Sequence, residues 1–429
     1  MPSVLANEAY LAAILAQLAV IILVGRAMNR VAVRLGQPGA VGEIAGGLML
    51  GPSLLGALLP DFHAALFPAE TARTLFVLGQ VGLILLMFEI GADFEFSHLK
   101  APRYRRAAIL VAAVSVTVPF LAGLGIGQLT HGTLAADIDG TIYTLFCGVA
   151  LAITAVPILG RILREFGLNR TPVGVIAISA AALNDVVGWL ILAAISALAM
   201  AQLTDSFLLV RLAALVGLAL ALRFLLVPAV ALMIGKSGPE ATGGTLPRGL
   251  IAITIAIAFA LALATEAIGI FAIFGGFAAG LAYHRHTAFV ERWKAEVSPF
   301  VLVFFLPIFF TLTGLRTDIP GLTVADLPLM AAVLAAAILS KILPCYLAGR
   351  LCGLSAPESW LLGSLMNTRA LMELIVLNIA LDLGFLPQKM FTILVLMAIV
   401  TTAMTGPLLR LILPRMGHKL PDPATSAAA

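Results

Sequence analysis

Long apolar runs recur from one end of this chain to the other. Examples are Leu11–Val24, Ile109–Gly127, Val186–Met200 and Met390–Met404. Several of them approach the roughly 20 residues that an α-helix needs to cross about 30 Å of hydrocarbon. Only 11% of the 429 residues are charged, compared with roughly 25% in soluble domains. The sequence therefore predicts an all-α polytopic membrane protein.

The apolar runs are separated by short stretches in which charged, glycine or proline residues cluster. Their spacing predicts about thirteen transmembrane helices. These cover roughly residues 9–28, 38–55, 71–91, 106–129, 141–165, 172–202, 207–235, 246–265, 269–284, 297–315, 325–352, 358–384 and 387–413. No cleavable signal peptide is expected, because the residues before the first run include Glu8 and contain no basic stretch.

Basic residues are unevenly divided between the predicted loops. Alternate loops hold most of the 26 Lys and Arg residues, as at Arg26–Arg34, Arg161–Arg164 and Arg410–Arg415. The intervening loops carry acidic residues such as Asp61 and Asp318. Because loops rich in Lys and Arg stay in the cytoplasm, we expect a multi-pass protein of the plasma (inner) membrane, with its N-terminus outside and its C-terminus cytoplasmic. The basic residues form no single patch, so we expect no nucleic acid as a partner.

A polar loop divides the apolar segments into two groups of six. Lys236–Arg248 is the loop richest in Gly, Pro and Thr. We therefore predict a first half at 1–206, a linker helix and cytoplasmic loop at 207–248, a second half at 249–415, and a short cytoplasmic tail at 416–429.

A few charged side chains fall near the middle of the predicted membrane helices. Asp185 lies in the sixth segment, Lys341 in the eleventh, and Arg369 and Glu373 in the twelfth. Each such charge costs about 2.5–3.5 kcal/mol on insertion scales, and these residues usually mark ion or proton paths. The alternative is a structural role, in which Asp185 pairs with a base, Lys341 is its counter-charge, and Arg369 and Glu373 form an i,i+4 ion pair.

Pro157 interrupts the fifth segment. It has no N–H, so the carbonyl of Ile153 loses its helical partner and Val156 is pushed towards an extended conformation. Non-helical backbone at membrane depth survives only where it lines a cavity or is buried in protein, and transporters bind ions at such breaks. A proline kink that serves packing is the alternative interpretation.

The twelfth segment has a counterpart to this break. Asn367 and Thr368 precede Arg369 at a similar depth, without a proline. Interrupted helices at matching places in two halves of a chain indicate a transport site. Glycines at Gly46, Gly47 and Gly51 instead predict close helix packing.

Several motifs point together to one family. They are Gly42–Gly47 continuing to Gly51–Ser53, Ile153–Leu163, Ala182–Val186, Leu306–Phe310 with Thr313–Thr317, and Met366–Leu374. With these motifs the chain resembles the monovalent cation:proton antiporter-2 family along essentially its whole length. The Asn184-Asp185 pair looks closest to plant-type cation/H⁺ exchangers and their bacterial relatives.

The resemblance implies a fold of about thirteen helices in two inverted repeats, in which two broken helices cross. It implies a core domain that binds the ion and a second domain that forms a homodimer. It also implies that Asp185 binds the cation, with Thr154 nearby and Lys341 next to the site. Many sodium-transporting relatives have two adjacent aspartates where this chain has Asn184 and Asp185, which puts electrogenic exchange in doubt.

These features lead to the hypothesis that a proton and a Na⁺ or K⁺ ion compete for the carboxylate of Asp185. Oxygens of Asn184, Thr154 and the helix broken at Val156 and Pro157 would complete the cation shell. Five further residues would line the site or compensate its charge: Lys341, Asn367, Thr368, Arg369 and Glu373. Exchange is one for one if Lys341 keeps its proton, and a second proton moves if Lys341 releases it. No cofactor is expected besides the transported ions.

Other classes of membrane protein remain as alternatives. A cation channel, or another membrane protein with buried structural charges, would contain the same groups. A membrane-embedded enzyme is not supported, because the chain has no His-Glu-x-x-His or Gly-x-Ser-x-Gly motif. Gly235-Lys236-Ser237 resembles the end of a P-loop, but Val230 stands where its first glycine should be, so no nucleotide is expected. The expected partners are membrane lipid and a second copy of the chain.

Overall fold

The structure is a computed structural model that describes residues 2–93, 102–154, 156–168, 171–203, 208–237, 245–268, 271–369 and 371–417. Within these ranges the regular structure is helical, and no strand occurs. The boundary predicted at 206 and residues 418–429 of the predicted tail lie outside the described residues.

The helices follow one another with short connections. They are α1 (Pro2–Arg34), α2 (Gly39–Leu50), α3 (Pro60–Leu66), α4 (Ala72–Ala92), α5 (Pro102–Leu134), α6 (Gly140–Ala152), α7 (Val156–Glu165), α8 (Pro172–Leu203), α9 (Leu208–Ala221), α10 (Val227–Ser237), α11 (Arg248–Ile268), α12 (Ala272–Tyr283), α13 (Thr287–Glu296), α14 (Ser298–Phe300), α15 (Leu306–Leu315), α16 (Leu327–Leu351), α17 (Ala356–Met366), α18 (Leu371–Asp382) and α19 (Gln388–Ile412). Turns of π-helix lie at Pro52–Gly56, Leu222–Leu226 and Val301–Phe305, and turns of 3-10 helix at Ala69–Thr71, Val324–Asp326 and Leu413–Met416.

Helices long and apolar enough to cross a membrane make up most of the structure. In the described part of the chain, ten helical stretches meet this condition by length and composition. Two shorter apolar helices, α6 and α12, accompany them. The predicted all-α polytopic class is therefore confirmed. Twelve of the predicted segments overlap these helices, and the segment predicted at 38–55 coincides with α2, while the count of thirteen and the inverted repeats stay predictions.

One compact unit comprises residues 1–22, 66–95 and 193–312. In it, α12 packs against α4 and α11. A Cβ atom placed on Gly280 of α12 would lie 2.0 Å from the carbonyl oxygen of Phe88 in α4, so the two backbones approach closely because a side chain is absent there. The Phe88 ring also packs on Tyr283 and Trp293, at centroid distances of 5.2 Å and 4.7 Å.

The other compact unit comprises residues 23–65, 96–192 and 313–429. In it, α5 packs against α6 and α16, and α16 packs against α17 and α19. Every residue predicted for the functional site belongs to this unit. Each unit takes residues from both predicted halves, 1–206 and 249–415, so the division into halves runs along the chain and is distinct from the division into compact units.

Candidate functional site

The helix that contains the predicted break is interrupted between α6 and α7. α6 ends at Ala152, and Ile153 is extended, with φ −69° and ψ 143°. α7 begins at Val156, so Pro157 lies in the first turn of a new helix. The sequence predicted the extended residue at Val156, and the structure places it at Ile153. The physical reason is that a proline in a first turn needs no N–H partner, so the chain turns before Val156.

A second interruption separates α17 from α18. α17 ends at Met366 and the next described helix begins at Leu371. Threonines of α19 supply hydrogen bonds to the intervening residues. The Arg369 backbone N–H donates to Thr402 Oγ1 at 3.2 Å, and Asn367 Nδ2 donates to the Thr401 carbonyl oxygen at 3.4 Å. Thr368 Oγ1 lies 3.4 Å from Thr405 Oγ1. The Thr402 hydroxyl therefore takes the place of a helical acceptor for the Arg369 N–H at this break.

The interrupted segments meet each other. Thr154 Oγ1 donates to the Met366 carbonyl oxygen at 3.4 Å. Arg369 Nη1 donates to the carbonyl oxygens of Leu151 and Ala150, at 2.6 Å and 3.2 Å. These carbonyls belong to the last turn of α6, where the helix leaves them without helical partners. A cation at the negative end of a helix dipole is favourable, so Arg369 stabilises the broken end of α6.

Lys341 is fully buried and also contacts this end of α6. Its ammonium donates to the carbonyl oxygens of Ala152 at 2.5 Å and Ser115 at 2.8 Å, and to Thr154 Oγ1 at 2.7 Å. The Ser115 carbonyl is available because Pro119 lies inside α5 and offers no N–H four residues on. An ammonium group has three donors and no acceptor, so these oxygens satisfy all of its protons.

Asn184 and Asp185 lie side by side in α8, 1% and 2% exposed. Asn184 Nδ2 donates to Ser115 Oγ at 2.7 Å and to Thr154 Oγ1 at 3.4 Å. The Val156 backbone N–H, at the N-terminus of α7, donates to the Asp185 carboxylate. Asn184 Oδ1 and Asp185 Oδ1 have no hydrogen-bond partner. One oxygen acceptor on each of these two consecutive residues is thus left open near the broken helix.

The Asp185 carboxylate borders a small crevice. This crevice lies between residues of α8, α18 and the first break, and it is too narrow to hold a water molecule. Its lining consists of Ile153, Asp185, Gly188, Trp189, Met372 and Val376. Asp185 is therefore the charged member of an otherwise largely apolar lining.

Glu373 lies in the first turn of α18 and is fully buried. Its nearest ionic partner is Arg369 Nη1, which lies 3.9 Å from Glu373 Oε2. Neither carboxylate oxygen of Glu373 has a hydrogen-bond partner. The predicted i,i+4 ion pair is therefore present only at long range.

The structure brings the predicted residues into two linked groups. Asp185 and Asn184 of α8 surround the first break with Thr154, Val156 and Lys341. Arg369 and Glu373 follow Asn367 and Thr368 at the second break, and Arg369 links the groups through the end of α6. Sequence reasoning missed Ser115 and Pro119 of α5, and the threonines of α19 at 401, 402 and 405. A proline close to a serine in one apolar run, and a cluster of threonines in another, were the available signals.

Comparisons with known proteins address the family and the fold. A family model described as "Sodium/hydrogen exchanger, transmembrane" matches residues 19–414. The Na(+)/H(+) antiporter NhaS4 of Synechocystis sp. is 35% identical over 94% of this chain and 98% of its own length. Cation/H(+) antiporter 17 of Arabidopsis thaliana is also 35% identical, over 91% of this chain. The matched region is 47% of that relative, so the chain spans about half of its length.

A solved structure shares the fold. The sodium proton antiporter MjNhaP1 from Methanocaldococcus jannaschii superposes with a TM-score of 0.61, covering 96% of this chain and 99% of the other. Its sequence identity is 16%, so the likeness concerns the fold alone. The family model matches most of the chain, and relatives named as antiporters match nearly all of it. The resemblance stated from the sequence motifs is confirmed, and the chain belongs to the family of transmembrane sodium/hydrogen exchangers.

Proposed function

We propose that this protein exchanges a monovalent cation, Na⁺ or K⁺, for H⁺ by alternating access, and that cation and proton compete for Asp185. The observation that carries the proposal is the pair of open acceptors, Asp185 Oδ1 and Asn184 Oδ1. Buried polar atoms in folded proteins nearly always have partners. A carboxylate and an amide oxygen suit a hard cation, and a carboxylate alone suits a proton.

The broken helix supplies the electrostatic setting for this competition. The N-terminus of α7 presents the Val156 N–H to Asp185, and helix N-termini favour negative charge. The C-terminus of α6 is held by Lys341 and Arg369. Asp185 thus remains the anionic group that a cation or a proton neutralises, while both neighbouring cations are engaged with backbone carbonyls.

The contacts of Lys341 bear on stoichiometry. All three of its protons have oxygen acceptors, and a neutral amine would turn a lone pair towards one of these oxygens. Lys341 therefore acts as a fixed charge. We therefore favour a cycle in which Lys341 keeps its proton throughout, so that a second proton, where one moves, comes from another group.

The hydrogen bonds of Thr154 bear on the role that was expected of it as a cation ligand. Its hydroxyl oxygen already accepts from Lys341 and Asn184. We infer that Thr154 positions these side chains in this state, and that Asn184 and Asp185 supply the side-chain ligands. Asn367 and Thr368 support the second break, where the threonines of α19 hold them.

The setting of the exchange follows from the family and the sequence. We propose a protein of the inner membrane with an external N-terminus and a cytoplasmic C-terminus, as the basic loops predict. A homodimer surrounded by membrane lipid is the assembly that the family resemblance favours. Neither nucleic acid nor a nucleotide has a part in this function.

Exchange by the purified protein in proteoliposomes tests the proposal. Addition of Na⁺ or K⁺ should dissipate an imposed pH gradient, whereas a channel would conduct the cation without coupling it to protons. Asp185→Asn should reduce this flux to that of protein-free vesicles. Asp61→Asn makes the same chemical change at an exposed carboxylate and should leave the flux unchanged. An Asp185→Asn variant with normal exchange would overturn the assignment.

A further inference from the structure

Glu373 is a buried carboxyl group that competition at Asp185 does not use. It is 0% exposed, and both of its carboxylate oxygens lack hydrogen-bond donors. Burying an ionised carboxylate without donors is so costly that such a group usually takes up a proton instead. Glu373 is therefore a buried carboxyl group whose protonation state is not fixed by any hydrogen bond.

Arg369 carries an unused donor that suits the ionised form of Glu373. Arg369 engages its Nη atoms with carbonyl oxygens of α6 and α16, but its Nε atom has no partner. Arg369 Nη1 and Glu373 Oε2 are 3.9 Å apart, about 1 Å beyond a charge-assisted hydrogen bond. Arg369 and Glu373 are thus close enough to attract each other but do not form a hydrogen bond. Loss of the Glu373 proton would draw the two groups into hydrogen-bond distance.

The groups around Glu373 make its proton sensitive to charge at Asp185. Arg369 and Lys341 act on Glu373 electrostatically, and Lys341 also interacts with Asp185. Helices α6 and α19 pack against α18, and their titratable and charged residues are Tyr143 and Cys147 on α6, and Lys389 and Arg410 towards the ends of α19. Asp185 of α8 lies across the crevice from α18, and Arg316 pairs with Asp382 at the end of α18. Glu373 is therefore the acidic group among the buried cations at the second break.

We propose that Glu373 is a second proton-binding site, which releases its proton when a cation occupies Asp185. This inference rests on the proposed exchange at Asp185 and extends it. In the proton-loaded form Asp185 and Glu373 each carry one proton. A cation then displaces the Asp185 proton, and the Glu373 O–H bond breaks as its carboxylate pairs with Arg369. Two protons leave to water for each cation bound, so each cycle moves net charge.

The coupling follows from the count of buried charges. With both acids protonated, Lys341 and Arg369 leave two uncompensated positive charges. A cation that only replaced the Asp185 proton would leave that excess unchanged and would place a metal ion near it. Ionisation of Glu373 removes one positive charge from the excess. Linkage makes the proposed coupling reciprocal: a cation at Asp185 that promotes ionisation of Glu373 is itself bound more tightly once Glu373 is ionised.

Proton release on cation binding tests the proposal without requiring turnover. Purified protein in a weakly buffered detergent solution with a pH indicator is mixed with NaCl or KCl over a range of pH. The largest number of protons released per bound cation should be two in the wild type and one in Glu373→Gln. Glu70→Gln, at an exposed site, should behave as the wild type. Glu373→Asp retains a carboxyl group and should restore the second proton.

Transport stoichiometry provides the second measurement. In vesicles with fixed ion gradients, the membrane potential at which net exchange stops should report two protons per cation for the wild type and one for Glu373→Gln. A wild type that releases one proton, or a Glu373→Gln variant that still releases two, would overturn the proposal while leaving Asp185 as the exchange site. Failure of the proposed exchange at Asp185 would give a different result, because the Asp185→Asn variant would then retain normal cation-driven flux.

Discussion

The Lys341 ammonium lies 2.7 Å from Thr154 Oγ1 and forms no ion pair with Asp185 among the described residues. Its other acceptors are backbone carbonyls of Ser115 and Ala152. Lys341 therefore gives the site a positive charge without occupying the oxygen atoms of Asp185. A direct salt bridge would have closed those oxygens to a cation.

Removal of the Lys341 charge should impair both exchange and stability. Lys341→Met keeps the length of the side chain and leaves the carbonyl oxygens of Ser115 and Ala152 without this donor, at about 1–3 kcal/mol each. We expect exchange to fall to background and the melting temperature in detergent to drop by several degrees. Lys341→Gln, which keeps two donors on one nitrogen, should recover part of the stability. A Lys341→Met variant that melts like the wild type would contradict the hydrogen bonding described here.

Replacement of Thr154 should act through Lys341. Thr154→Val has nearly the same shape but no acceptor for Lys341 Nζ or Asn184 Nδ2. We expect a loss of exchange of roughly tenfold, equivalent to about 1.4 kcal/mol, which is the size of one hydrogen bond to a charged group. Thr154→Ser restores the hydroxyl and should restore the rate. Initial rates of cation-driven proton flux measure the effect, and equal rates for Val and Ser would contradict it.

Pro119 is expected to matter because of the hydrogen bond that it does not make. Pro119→Ala returns an N–H to α5, and this N–H competes with Lys341 for the Ser115 carbonyl oxygen. Exchange should slow while the protein stays folded and melts no lower than the wild type. Pro407→Ala is a matched control, since it also alters a proline inside an apolar helix but lies at an exposed position. Equal slowing in both variants would contradict the specific role of Pro119.

The fold and the position of the site were largely predictable from residue types. Apolar runs predicted the membrane helices, Pro157 predicted the break, and the burial cost of charge singled out Asp185. The partners of these residues were less predictable. Lys341 binds carbonyl oxygens, and every residue has a carbonyl, so no sequence pattern distinguishes Ala152 from its neighbours.

The second break shows the same limit in another form. Asn367 and Thr368 indicated a polar region, but its hydrogen bonds come from α19. The threonines there lie far from the break in sequence. Arg369 and Thr402, for example, are 33 residues apart. Long-range pairing of this kind depends on how helices pack. The open pair of Arg369 and Glu373 likewise follows from the engagement of Arg369 with α6, which the i,i+4 spacing alone does not predict.

Close backbone contact between α2 and α15 should make one glycine far less replaceable than another. A Cβ on Gly314 would lie 2.1 Å from the carbonyl carbon and oxygen of Gly47. Gly314→Ala therefore forces these backbones apart, and overpacking of this kind costs about 1–3 kcal/mol or more. We expect a lower melting temperature and a lower yield of folded protein.

The matched control for Gly314 lies in the same compact unit. Gly125, inside α5, has no atom within 4 Å of the position that its Cβ would occupy. Gly125→Ala should be neutral or slightly stabilising, because alanine is favoured over glycine in a helix by about 1 kcal/mol. Thermal unfolding of the two variants in the same detergent compares them directly. If Gly314→Ala melts at the wild-type temperature, then α2 and α15 do not approach as closely as the Gly47–Gly314 contact indicates. Gly47 and Gly314 would then serve some purpose other than packing.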